Sequence, residues 1–160
     1  HFDYIILDTR GGVDTTSIGT ALAAESFILI TEADRPSWEI VEQLLETLKD
    51  AKKEVDSKSQ CLGFIINKNS LPSPSIERYL QKKWDLHHLA TIPYDDLVIG
   101  SFQQSKVIMS ENLIAPFSRK IIEIIEKMIH TIGWNEYNNA RLEEIKNPSV
   151  WSQIRRFFKS

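Results

Sequence analysis

The chain has 160 residues, enough for one domain with a sizeable core. It is 42% hydrophobic and 26% charged, which argues against disorder, and a net charge of −3 supplies no overall drive toward nucleic acid. One cysteine, Cys61, rules out a disulfide framework and fits a reducing compartment; the apolar runs fall far short of a membrane span, and no secretory pattern of charged and apolar regions appears. The first residue is His1 rather than Met, so the chain is expected to be a piece of a longer product.

Short β-branched runs alternate with helical patterns, which predicts an α/β fold: a doubly wound, mostly parallel sheet with helices on both faces. Tyr4–Leu7 reads as a first strand, buried and ending on Asp8. Thr15 or Thr16 is positioned to cap a helix running through Ser17 to Glu25. Phe27–Thr31 reads as the second strand. Pro36 suits the first turn of the next helix, with Trp38, Val41, Leu44, Leu45 and Leu48 at helical spacing. Cys61–Ile66 forms a third strand that ends on Asn67, and Ser75–Trp84 a short helix. Leu89–Ile92 is a fourth strand stopped by Pro93. Residues 94–112 read as loop with room for a short helix. Ala115–Ile132 carries Phe117, Ile121, Ile124, Ile125 and Met128 on one helical stripe. A polar linker covers 133–148, and 149–160 is an amphipathic basic tail.

The most informative stretch is Phe2-Asp3-Tyr4-Ile5-Ile6-Leu7-Asp8-Thr9-Arg10-Gly11-Gly12. A carboxylate at the C-terminal tip of a parallel strand stands where α/β sheets gather ligands. In phosphate-transfer sites such a group holds Mg²⁺ or orders the attacking water, while glycine amides face a phosphate. A turn aspartate after a buried strand is the plainer reading of Asp8, as a strand-ending turn is of Asn67. Glu32 and Asp34 could line the same strand-end crevice or serve as helix-entry acids before Pro36. His87 and His88 adjoin Asp85, but adjacent histidines on a strand point to opposite faces and make poor joint metal ligands. Cys61 reads as a small buried apolar filler.

Several runs fall together into one family pattern: Phe2–Thr9, Ala21–Glu32, Leu62–Lys68, Ile92–Asp96 and, after these, Ser105-Lys106-Val107. In this order and spacing the chain resembles, over about residues 2–131, the second half of the MinD/ParA group of P-loop ATPases. The resemblance implies residues 1–132 as the C-terminal part of such an ATPase domain. Asp8 would act at the Mg²⁺ and attacking-water side of bound ATP, reaching the metal directly or through water. Thr9 to Gly12, with Gly11 and Gly12, would sense the γ-phosphate. Asn67 would face the adenine edge, and the Pro93–Asp96 loop, with Asp95, would close over the base. Two ATP-bound copies would form a homodimer that hydrolysis releases, under the influence of an activating partner protein, to position division sites, chromosomes or plasmids.

Two departures stand out. Arg10 occupies a place where the family usually has proline or a small residue; it could contact phosphate or DNA, or pair with Asp14. No glycine is followed by lysine, so the lysine-bearing phosphate loop is absent and the chain alone is expected not to hydrolyse ATP. The alternative is a catalytically inactive relative acting as a scaffold or localisation module. An ATP-dependent amidating or ligating enzyme on the same fold is a further rival, with no substrate pocket marked in the sequence. DNA binding through Arg119, Lys120 and Lys127 ranks below membrane contact, because Glu123 and Glu126 lie among them.

In the tail, Val150, Trp151, Ile154, Phe157 and Phe158 fall within an arc of roughly 120° at helical spacing, with Arg155, Arg156 and Lys159 opposite. Large aromatics facing away from cations suit an anchor on anionic lipid. It resembles the membrane-targeting helix of MinD proteins, which would make the protein cytoplasmic and peripheral on the inner face of the plasma membrane. A terminal helix packed on its own domain or on a partner is the other reading.

Overall fold

The computed structural model describes residues 5–69, 71 and 73–131. The linker and the tail, with Trp151, Ile154, Arg155, Arg156, Phe157, Phe158 and Lys159, lie outside the described residues. The elements run α1 (Thr15–Ala23), β1 (Ser26–Glu32), α2 (Arg35–Val55), β2 (Gln60–Asn67), α3 (Pro74–Trp84), β3 (His88–Thr91), α4 (Asp96–Gln103), α5 (Ile108–Glu111) and α6 (Pro116–Thr131). The strands form a three-stranded sheet in the order β1-β2-β3. Phe64 N donates to His87 O and Asn69 N to Ile92 O, so β2 and β3 advance in step, the parallel sense. The α/β expectation is met at this level.

The expected first strand is not formed. Tyr4 lies outside the described residues, and Ile5, Ile6 and Leu7 have no regular structure and are 76%, 92% and 54% exposed. A strand exists only when a neighbour satisfies its backbone N–H and C=O groups and other elements cover its faces. No described strand pairs with Ile5–Leu7, so an apolar β-branched run alone does not make one. The remaining boundaries move by a residue or two, except that 94–112 holds two helices, α4 and α5, where loop with room for one short helix was expected.

Three helix starts have a local cap. Asp14, not Thr15 or Thr16, caps α1, accepting from Ser17 N at 2.8 Å. Asp34 caps α2 through Ser37 N at 2.8 Å, with Pro36 in the first turn. Asp95 caps α4 through Leu97 N at 3.0 Å. α1 stops at Ala23 because Glu25 already serves the sheet, its carbonyl accepting from Gln60 N.

The described residues fall into two compact units, one from the ranges His1–Ile66 and Ser73–His88, the other from Asn67–Pro72 and Leu89–Ser160. The first has a core of Leu29, Val41, Phe64, Ile66, Leu80 and Trp84, contributed by β1, α2, β2 and α3. Phe64 meets Trp84 edge to face at 5.0 Å. The hydroxyls of Ser57 and Ser59 donate to Leu22 O and Ala21 O at the end of α1, at 2.7 and 2.5 Å, satisfying carbonyls that the helix leaves open. Lys52 Nζ in turn donates to Ser59 O.

In the second unit, Ile108, Met109 and Ala115 form a small core with Val98, Phe117, Ile121 and Ile122 around it. Ser118, fully buried, donates to Asn112 O at 2.7 Å. Lys127 of α6 donates to Leu89 O of β3 at 2.5 Å. No described helix is long and apolar enough to cross a membrane.

Candidate functional site

Asp8, Thr9, Gly11 and Gly12 lie in the first unit, and Asn67, Pro93 and Asp95 in the second. In the first unit, Asp8, Thr9 and Arg10 are exposed. Ser17, buried in α1, donates its hydroxyl to Arg10 O at 3.0 Å and so ties the turn to the first helical coil. A Cβ would find open space at both Gly11 and Gly12, but Gly12 has φ +123°, a backbone state that side chains resist. Gly12 is therefore the residue that makes the turn, and Gly11 is not required by space.

Asp14 closes the turn. Its carboxyl is held below its ordinary value chiefly by the Ser17 N–H that it accepts, against a smaller opposing push from desolvation. Arg10 is the smallest of the influences lowering it, and no Arg10–Asp14 ion pair is among the described salt bridges. Of the alternatives open for Arg10, pairing with Asp14 gives way to capping by that carboxylate.

In the second unit, Asn67 ends β2 and Pro93 follows β3, and the Asn69 N–H bond to Ile92 O at 3.1 Å brings these two strand ends side by side. Lys68 between them takes the left-handed conformation at φ 53°. Asn69, only 7% exposed, accepts Leu71 N on its side-chain oxygen at 3.1 Å. Asp95 is fully engaged: one oxygen takes Leu97 N at 3.0 Å and the other Phe117 N of α6 at 3.2 Å. Its charge serves two helix N-termini, where backbone N–H groups collect.

Sequence reasoning missed Ser17, Asn69 and the double cap at Asp95. Asp14-x-x-Ser17 and Asn69-x-Leu71 are capping and turn patterns that carry this information locally. The link from Asp95 to Phe117 spans 22 positions and leaves no local trace.

Other candidates resolve into structure. His88 sits 3.7 Å from Glu77 and its ring lies 5.3 Å from that of Phe64. Cys61 packs against the first core, and burial pushes its thiol up. Lys120 and Lys127 both pair with Glu123, at 2.5 and 2.9 Å. Among the described residues no group of three or more His, Cys, Asp or Glu side chains could hold a metal ion.

For ATP and Mg²⁺ the described residues fit only in part. They offer an exposed carboxylate, Asp8, and a glycine turn with open space at Gly11, but no lysine-bearing cradle.

No family model matches the chain. An uncharacterized protein of Methanocaldococcus jannaschii is 25% identical over 137 residues, covering 82% of this chain and 53% of that protein. The chain thus spans about half the length of the curated relative it matches.

Proposed function

We propose that the chain is the Asp8-bearing part of an ATP-dependent dimerisation switch of the MinD/ParA kind, used for intracellular positioning. The observation that carries the reading is the Asp8–Gly12 turn. A carboxylate followed by a positive-φ glycine is pinned by Ser17 at the entrance of a capped helix. Such a turn leaves both the carboxylate and backbone amides open to a ligand, as a phosphate-sensing segment needs.

The exposed Ile5–Leu7 run supports the same reading, because a further strand beside it would complete the sheet and bring Asp8 to a strand tip. Mg²⁺ and ATP, when bound, would supply the electrophilic phosphorus and its charge neutralisation. Asp8 would orient water or hold the metal from the protein side. Asp95 is engaged as a brace, its carboxylate holding α4 and α6. The phosphate cradle would come from polypeptide outside these 160 residues.

The test is Mg-dependent ATP hydrolysis by the intact protein. Asp8→Ala should lower the rate about a hundredfold, in line with loss of a group that orders the nucleophile. A rate that survives the change refutes the role, intact protein without a measurable rate leaves the inactive scaffold, and intact protein with no affinity for adenine nucleotides refutes the family reading. The tail contributes a membrane contact in this scheme: Phe157→Glu should abolish liposome pelleting of the intact protein, and equal pelleting of variant and parent would remove the anchor.

A further inference from the structure

α3 ends in a way that builds a second feature on the first unit. Asp85, at φ 51°, is a left-handed residue that turns the chain back on the helix, and Leu86 N bonds Gln81 O at 3.3 Å. The reversal sets His87 beside the last turns of α3. A depression of about 370 Å³ results, lined by Arg78, Gln81, Lys82, Asp85, Leu86 and His87. Arg78 Nε donates to Pro74 O at 3.1 Å, which fixes the plane of the guanidinium and leaves its outer nitrogens for another acceptor.

The charges around this depression are sorted. Lys83 is taken up by Glu42 at 2.5 Å, and His88 lies against Glu77 at 3.7 Å. Among the described residues no carboxylate forms an ion pair with Arg78, Lys82 or His87. One acid, Asp85, stands among these three nitrogen-bearing side chains. A chain of net charge −3 thus gathers unpaired donors in a single hollow.

We propose that this hollow binds a phosphorylated, hydroxyl-bearing small molecule, with Arg78, Lys82 and His87 donating to the phosphate oxygens. Arginine matches a phosphate through paired N–H groups, and lysine adds a compact charge beside it. Asp85 is the acceptor for a ligand hydroxyl, and Gln81 can serve either role. Leu86, half-buried against the core, gives the organic part an apolar wall. The volume exceeds what one phosphate group fills and falls within the ~300–1,000 Å³ typical of small-ligand sites.

The test is a titration of the full 160-residue chain, following the His87 ring resonances by NMR. Ribose 5-phosphate serves as the phosphorylated probe, with ribose and inorganic phosphate as the separating arms. Saturable shifts with ribose 5-phosphate, none with ribose, and weaker binding of inorganic phosphate support the proposal. The double variant Arg78→Gln, Lys82→Gln should weaken ribose 5-phosphate binding by about tenfold or more, as expected for losing charge-assisted bonds to phosphate.

Lys83→Gln, whose cation belongs to Glu42, should leave the affinity within about twofold, a span of a few tenths of a kcal/mol. Absence of saturable shifts in the parent overturns the proposal. So does an unchanged affinity in the double variant, or inorganic phosphate binding as tightly as the ester. The altered side chains are exposed, and an unchanged melting curve of each variant keeps a loss of binding from being a loss of fold.

Discussion

Ile5-Ile6-Leu7 leading into Asp8 and Phe64-Ile65-Ile66 leading into Asn67 are close to the same text, yet they occupy opposite surroundings. Phe64 and Ile66 are fully buried, between β1 and β3 in the sheet and beneath α2 and α3. Ile6 is 92% exposed and pairs with no described strand. Their difference shows what a strand requires: a partner on at least one hydrogen-bonding edge and a covered face, neither of which apolar side chains supply for themselves.

The largest expected effect breaks or confirms that contrast. Phe64→Ala should destabilise the chain by about 3–5 kcal/mol in urea unfolding, through lost burial and the cavity against Trp84. Ile6→Ala should stay within about 0.5 kcal/mol, as for an exposed position. A comparable loss at Ile6 would mean that the run is covered in solution. The comparison sharpens in the intact protein: if a further strand lies beside Ile5–Leu7, Ile6→Ala becomes costly there and stays cheap in the 160-residue chain.

The two candidate ligand loops differ in the same spirit. Asp95 is spent on two backbone amides, whereas Asp8 is exposed with no described bond. Asp95→Ala should therefore cost about 1–2 kcal/mol, the usual loss of a cap plus an orphaned N–H. Asp8→Ala should fall within about 0.5 kcal/mol of the parent. Thermal unfolding of the two variants side by side reads the contrast, and equal destabilisation would sink it.

Within the first loop the contrast narrows to neighbours. Gly12→Ala should cost about 1–2 kcal/mol, because a residue with a side chain resists φ +123° even where space is open. Gly11→Ala should be neutral or slightly stabilising, since nothing stands within 4 Å of the added carbon and the unfolded chain loses freedom. Chemical denaturation of both variants decides it; a Gly11 loss as large as that at Gly12 would show that the turn needs both glycines.

These cases also mark how far the residues could be read in advance. Helices α2 and α6 were legible because their apolar residues recur at helical spacing, and β2 because a buried β-branched run ends on a turn. Pro36 and the turn at Gly12 were legible because proline and glycine act locally. The first strand was misread because pairing is a property of neighbours, and α4 was underread because its cap, Asp95, also answers to Phe117 far along the chain. The depression beside α3 escaped notice for a related reason: His87 was weighed with His88 as a metal ligand, while the left-handed turn at Asp85 places it with Arg78 and Lys82 instead.

The smallest effects are electrostatic, and their sign follows from which state holds the proton. Glu42 is held below its ordinary 4.5 mainly by the Lys83 ammonium that donates to it, with Trp84 Nε1 adding a bond at 3.3 Å. Lys120 and then Lys127 do the same for Glu123, and Ser17 N–H for Asp14. In each case the unfolded chain takes up the proton first as pH falls, so the contribution is complete above the ordinary carboxylate values and is lost as pH drops through the lower folded ones.

Lys83 runs the other way. Glu42 raises it above 10.5, so its share persists below that value and is lost as pH climbs through the folded one. The urea midpoint should therefore be flat across neutral pH, fall below about pH 4.5, and fall again on the strongly alkaline side. Glu42→Gln should reduce both slopes at once, because one pair generates part of each, whereas Asp14→Asn should soften the acid slope alone. An alkaline limb unchanged by Glu42→Gln would show that the pair does not persist in water, as exposed pairs often fail to do.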